Sequence, residues 1–282
     1  MLMPACRTSL PPAPVLEAWQ SRACTALPAG VGLGILSRTV EIMKNLIPGF
    51  ILEQHAQDRL SGHFAAVALF VDVFGFTAAT NTLMEHGKEG AEIVAEIMQA
   101  IFDPLMQRVY DHGGFVSSFA GDGFTALFPG TRTQIMGLTA AARMRKLIIE
   151  HSTRTTPFGV LHFAIKIGMA EGDVDWGIIG GGEQTLHACY FGGQAIEECA
   201  KAERRAGINE LVVNEPVMER LKSMVGFISQ DGYWRVTDIY TPLPPPKPAS
   251  QPDRPSDLTA AFVPGTVLRK DVRGEYRQVL TL

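Results

Sequence analysis

Two aspartates fifty residues apart, Asp72 and Asp122, and a four-residue turn that starts at Phe74 carry the chemistry this chain's residue types allow. Asp72 lies near the end of an almost wholly apolar run, FAAVALFVDV, from Phe64 to Val73, and Asp122 sits between two glycines in Gly121-Asp122-Gly123. Magnesium is a hard cation that takes oxygen ligands at ~2.0–2.1 Å, commonly one or two carboxylates together with substrate phosphates. A carboxylate pair can also bridge two such ions ~3.5–4 Å apart, which stabilises the attacking and leaving oxygens of an in-line displacement. Directly after Asp72, Phe74-Gly75-Phe76-Thr77 turns the chain from strand towards helix. Amides at a helix start favour anions, so this turn can cradle a polyphosphate, and Gly75 lets the backbone approach closely. Singly, each piece has a plainer reading: a strand-end aspartate solvated in a loop, and a Gly-Asp-Gly that only turns the chain. Together they outline a site for metal-assisted phosphoryl chemistry.

For the carboxylates to meet, the elements around them must bring position 122 beside position 72. The apolar run at 64–73 reads as a strand buried on both faces. Residues 87–111 place Ala91, Val94, Met98, Ile101, Leu105 and Val109 at steps of three and four, one stripe of a long amphipathic helix. Gly113 and Gly114 stop it, and VSSFA and FTALF follow as a hairpin with Asp122 at its tip. A second helix is expected over 133–150, then, after a polar loop with Pro157 and Gly159, the strand LHFAIKIGMAEG. This order is the ferredoxin-like βαββαβ palm, an α+β arrangement with helices on one face of an antiparallel sheet, and its central hairpin lies next to the first strand. Further strands (174–180, 187–191, 211–213, 225–230, 233–239) and a helix over about 193–205 extend the sheet.

The segments VALFVDVFGFT and GGFVSSFAGDGFTALFP resemble those of the class III nucleotidyl cyclases, the adenylyl and guanylyl cyclases, and the resemblance covers residues 64 to about 240. It implies that Asp72 and Asp122 hold two metal ions, Mg²⁺ or Mn²⁺, that Val73 contributes its carbonyl, and that Phe74, Gly75, Phe76 and Thr77 bind phosphates. The implied reaction is conversion of ATP into cyclic AMP and pyrophosphate, with ATP preferred to GTP from the resemblance alone. Family active sites lie between two cyclase domains, one giving the aspartates and the other the base-reading and transition-state residues. Here the second set is degenerate: Ser118 stands at the base-reading lysine, Tyr190 at the second base-reading position, Glu197 at the transition-state asparagine and Lys201 at the arginine. A carboxylate ~4 Å from a phosphate would repel it by about 4 kcal/mol at an effective dielectric near 20, roughly a thousandfold in rate. Glu197, Glu198 and Lys201 read otherwise as a solvated helical face. Soluble-type relatives respond to bicarbonate through basic residues whose matching positions are Ser118 and Ala200, neither of them basic.

A chain with the aspartates but not the second set resembles the first of the two tandem cyclase domains in soluble-type adenylyl cyclases. The implied partner is a second cyclase domain, in cis or in trans, in a pairing like a homo- or heterodimer; the alternative is a non-catalytic nucleotide-binding or dimerisation module. The expected organisation is a poorly ordered tail over 1–38, a cyclase homology domain over 39–240, a Pro-rich linker over 241–272 with seven prolines between Pro242 and Pro255, and the first strand of a following domain over 273–282. Composition narrows the rest. With 25 Lys plus Arg against 29 Asp plus Glu, a net charge of −4 and pI near 6.0, the chain lacks the basic stripe of nucleic-acid or anionic-lipid binders. No apolar run reaches the ~18–20 residues of a membrane span. Four scattered cysteines, Cys6, Cys24, Cys189 and Cys199, form neither a zinc spacing nor a disulfide framework, so a reducing cytoplasm is the simplest compartment.

Overall fold

The computed structural model of the chain describes residues 47–130, 133–180, 186–246 and 261–262. The tail over 1–38, the first residues of the domain expected over 39–240, most of the Pro-rich stretch and the strand expected over 273–282 lie outside the described residues. Six helices and ten strands are found among those described. In chain order they are α1 (Gly49–His55), β1 (Ser61–Phe74), α2 (Phe76–Met84), α3 (Gly87–Tyr110), β2 (Phe115–Ala120), β3 (Gly123–Pro129), α4 (Gln134–Glu150), β4 (Thr153–Thr156), β5 (Gly159–His162), β6 (Ala164–Ile179), β7 (Ala188–Gly192), α5 (Gln194–Glu203), β8 (Leu211–Val213), α6 (Glu215–Leu221), β9 (Val225–Gln230) and β10 (Tyr233–Ile239). None of the helices described is long and apolar enough to cross a membrane.

The main sheet runs β2-β3-β1-β6-β8-β10-β9, with β7 on the second half of β6. Its centre is β1, whose whole length pairs antiparallel with β6, from Ser61 opposite Gly177 to Phe74 opposite Ala164. On its other side β1 pairs with β3, ending at Asp72 opposite Gly123. Side chains alternate between faces, so Val67, Leu69, Val71 and Val73 enter one core with α2, α3 and α4. Ala66 and Ala68 enter a second core with Ala195 and Cys199 of α5. The fold is thus the expected α+β palm, with one correction: its helices do not all lie on one face. The helix α5 covers the opposite face, and α1 joins it there, where Phe50 packs against Phe64, Phe115, Trp176 and Phe191.

Four other differences from the sequence reading have local causes. Residues 174–180 are no separate strand, because Glu171 to Asp173 stay paired with β1 and β6 runs on. The polar stretch after α4 closes as the β4–β5 hairpin, Thr153 opposite His162 and Thr156 opposite Gly159. Met98 is 43% exposed, since the stripe of α3 rotates onto Ile97 and Ile101. The strand expected over 187–191 starts one residue later, because His187 turns aside: it is half-buried, its ring meets those of His55 and Phe262, and its backbone N–H donates to the carbonyl of Ala261 at 2.9 Å.

Candidate active site

The register of β1 decides where its carboxylate stands. Asp72 shares a face with Ala66, Ala68 and Phe70, and its neighbour across β3 is Gly123, the residue after Asp122. The β2–β3 turn is then fastened to β1 by the backbone N–H of Val73, which donates to the carbonyl of Asp122 at 3.1 Å. One residue past β1 the chain enters a left-handed conformation at Gly75, φ 94°, and α2 begins. A side chain is excluded there twice over, by that backbone angle and because a Cβ would stand 2.3 Å from the carbonyl oxygen of His162. The first amides of α2 have no intrahelical acceptor, as at any helix start. Thr77, in that first turn, donates its hydroxyl to Oδ2 of Asp122 at 2.5 Å. Asp72, Asp122 and the Phe74–Thr77 turn therefore come together at one end of the sheet. Phe74 is 53% exposed beside them, whereas Phe76 is buried as the anchor of the turn.

Two further groups belong to this place. Lys166 of β6 is directly opposite Asp72 in the antiparallel register, hence on the same face. Glu203, in the last turn of α5, receives its ammonium at 3.3 Å, and both side chains are largely shielded, 25% and 10% exposed. Neither was singled out in the sequence, although a lone lysine inside the apolar run FAIKIGMA was a legible signal. The Asp72 carboxyl is pushed up to about 6, chiefly by burial, then by the negative charges of Asp122 and Glu203, with Lys166 pulling the other way.

The positions of the second residue set fall on three elements: Ser118 on β2, Tyr190 on β7, and Glu197 and Lys201 one turn apart on α5. Ser118 pairs with Thr125 beside an irregularity in β2, where Ser117 donates its hydroxyl to the Thr125 carbonyl. Tyr190 of β7 lies over Gly177 and is 48% exposed. Glu197 is exposed on α5. Lys201 donates to Glu198 at 2.7 Å, and Glu198 also accepts from the hydroxyl of Tyr233 at 2.7 Å. Arg205 stacks on the Tyr233 ring, 4.3 Å from its centroid. Those lysine and tyrosine contacts hold the Glu198 carboxyl below its ordinary range. This face of α5 ties the helix to the β9–β10 hairpin.

Palm sheet, paired acidic residues and glycine-led turn together define a nucleotide-cyclase catalytic domain. The chain belongs to the family described as the adenylate and guanylate cyclase catalytic domain, whose pattern matches residues 62–236. Among its relatives, adenylate cyclase type 10 of Oryctolagus cuniculus is 29% identical over 157 residues, which is 54% of this chain and 10% of that protein. The Homo sapiens protein of the same name is 28% identical over 155 residues, again 54% of this chain and 10% of the relative. The match thus spans about a tenth of these relatives' length. Among solved structures, the guanylyl cyclase Cya2 superposes with a TM-score of 0.52 at 18% identity, covering 66% of this chain and 98% of that one. The adenylyl cyclase CyaB from P. aeruginosa gives 0.50 at 17% identity, over 63% and 96%. At such identities the structural likeness concerns the fold.

Cyclase domains of this family generally use divalent metals, and the donors here suit a hard cation. Asp72 and Asp122 offer carboxylate oxygens, the ligands a hard cation takes. Among the described residues no group of three His, Cys, Asp or Glu side chains forms a cage. Two carboxylates completed by substrate phosphates are the usual magnesium arrangement.

Proposed function

We propose that this domain, paired with a complementary cyclase domain in cis or in trans, converts ATP into cyclic AMP and pyrophosphate. One observation carries the reading: Asp72 and Asp122 converge beside a glycine-led helix start in a chain of the cyclase family. In this reaction the ribose 3′-oxygen bonds to the α-phosphorus as that phosphorus parts from the oxygen bridging to the β-phosphate. Pyrophosphate leaves, and the hydroxyl proton passes to the medium. Two divalent cations, Mg²⁺ or Mn²⁺, held by Asp72, Asp122 and the Val73 carbonyl, supply hydroxyl activation and charge neutralisation when bound. The chain's own residues do the placing. Thr77 orients Asp122 through its hydrogen bond, and the first amides of α2, set by the left-handed turn at Gly75, face the phosphates. Base reading and transition-state contacts come from the partner, because Ser118, Tyr190, Glu197 and Lys201 are unsuited to them. The preference for ATP over GTP is supported by the adenylate cyclase type 10 relatives.

A second reading, a non-catalytic nucleotide-binding or dimerisation module, is favoured by the engagement of Lys201 with Glu198 inside the domain. Assays of the chain alone and mixed with a second-half cyclase domain separate the two. The enzyme-half reading expects little cyclic AMP from the chain alone and formation in the mixture. Asp72→Ala or Asp122→Ala should lower that activity by about a hundred- to a thousandfold or more. A mixture indifferent to both substitutions would favour the non-catalytic reading.

A further inference from the structure

The Lys166–Glu203 pair has a geometry that the proposed chemistry does not by itself explain. Residues directly opposite in an antiparallel pair have Cβ atoms ~4.5–5.5 Å apart, close enough for a lysine to close an ion pair onto a facing aspartate. Lys166 faces Asp72 in this way, yet its ammonium goes to Glu203. Glu203 is held where it can capture that ammonium. The backbone of α5 rests on β6 at Gly168, where a Cβ would stand 2.0 Å from the Cys199 carbonyl oxygen and 2.3 Å from the Glu203 nitrogen. The neighbouring side chains Cys199 and Ala202 are fully buried, so the last turn of α5 has no room to shift.

We propose that Glu203 is a positioning residue that diverts the Lys166 ammonium from Asp72 and so keeps the Asp72 carboxylate open to a divalent cation. A lysine paired to Asp72 would compete with the metal for the same oxygens, since an ammonium and a cation cannot both take the inward lone pairs of one carboxylate. Glu203 gives the ammonium a nearer, better-shielded acceptor. The inference rests on the reading of Asp72 and Asp122 as the metal pair, and it adds a residue that touches neither metal nor nucleotide.

Mn²⁺ binding to the full chain, followed by electron paramagnetic resonance without nucleotide, tests it through a double-mutant cycle. Glu203→Gln keeps the shape of the side chain and removes its charge; it should weaken Mn²⁺ binding about tenfold or more. Lys166→Met alone should leave affinity within about threefold, because the ammonium is already off Asp72. In the double variant, with no ammonium left to compete, affinity should return to within about threefold of the unaltered chain, a non-additive rescue. Thermal melting of each variant confirms that the fold is kept. If Lys166→Met alone tightens binding by the same factor that it restores in the Glu203→Gln background, the two residues act only as additive charges and the proposal falls. It falls equally if Glu203→Gln changes nothing. Should the unaltered chain bind Mn²⁺ no better than Asp72→Ala, the metal reading itself fails, a result distinct from both.

Discussion

Asp72 is held in a position that does not suit a free anion. Burial, Asp122 and Glu203 raise its carboxyl from the ordinary 3.8 to about 6, against the pull of Lys166. A group whose folded value lies above its unfolded one binds protons more readily in the folded state. Its contribution therefore favours the fold below about pH 4 and is lost as pH rises from there through about 6. Asp72 is partly exposed, and solvent screening reduces this linkage to about 1 kcal/mol. Asp72→Asn should accordingly raise the melting temperature of the metal-free domain at pH 8 by a few degrees and leave it nearly unchanged at pH 4. Equal shifts at both pH values, measured by calorimetry in the presence of a chelator, would remove the electrostatic account. The same side chain that weakens the empty fold is the one assigned to a cation, whose charge would reverse the balance.

At the scale of elements, the sheet is what makes two aspartates fifty residues apart into neighbours, and α5 is what sets the charges around them. The seam between α5 and β6 depends on Gly168, where backbone lies on backbone. Gly168→Ala should lift α5, lower stability by about 1–3 kcal/mol and loosen the Lys166–Glu203 pair, all visible as a drop in melting temperature. Much of this architecture was legible. The buried strand β1, the amphipathic α3, the acidic hairpin tip and α4 follow from apolar period and glycine punctuation alone. What escaped has definite reasons. The helix α6 has only seven residues, too few for a period, though Asn214 ahead of Glu215-Pro216 was a readable start and its side chain does cap the Val217 amide. Side-chain parity in β1 could not tell which face α5 would cover, because both faces of that strand are apolar along its middle. Asp72 and Asp122 could be picked out by residue type and spacing. Lys166 stood out as a lone lysine in an apolar run, but its place opposite Asp72, its pairing with Glu203 and the Thr77–Asp122 bond could not be read, since they depend on cross-strand register and on the rotation of α5.

On the proposed reading the molecule supplies the acidic half of a shared site and takes base reading from its partner. One sheet face is filled by α2, α3 and α4; the other is covered by the aromatic cluster of α1 and by α5, and Phe74 and Phe119 remain exposed at the end that carries Asp72. A near-neutral composition provides no broad field to draw in an anionic nucleotide, so the proposed function assigns that attraction to groups gathered at that end and to a partner domain. The central claim is that Asp72 and Asp122 jointly hold divalent cations beneath a nucleotide's phosphates. Anomalous diffraction from crystals of the chain with its complementary domain, Mn²⁺ and a non-hydrolysable ATP analogue tests it most directly. Two manganese peaks ~3.5–4 Å apart are expected, both within ligand distance of Asp72 and Asp122 carboxylate oxygens. Manganese bound elsewhere, or phosphates seated away from the Phe74–Thr77 turn, would contradict it.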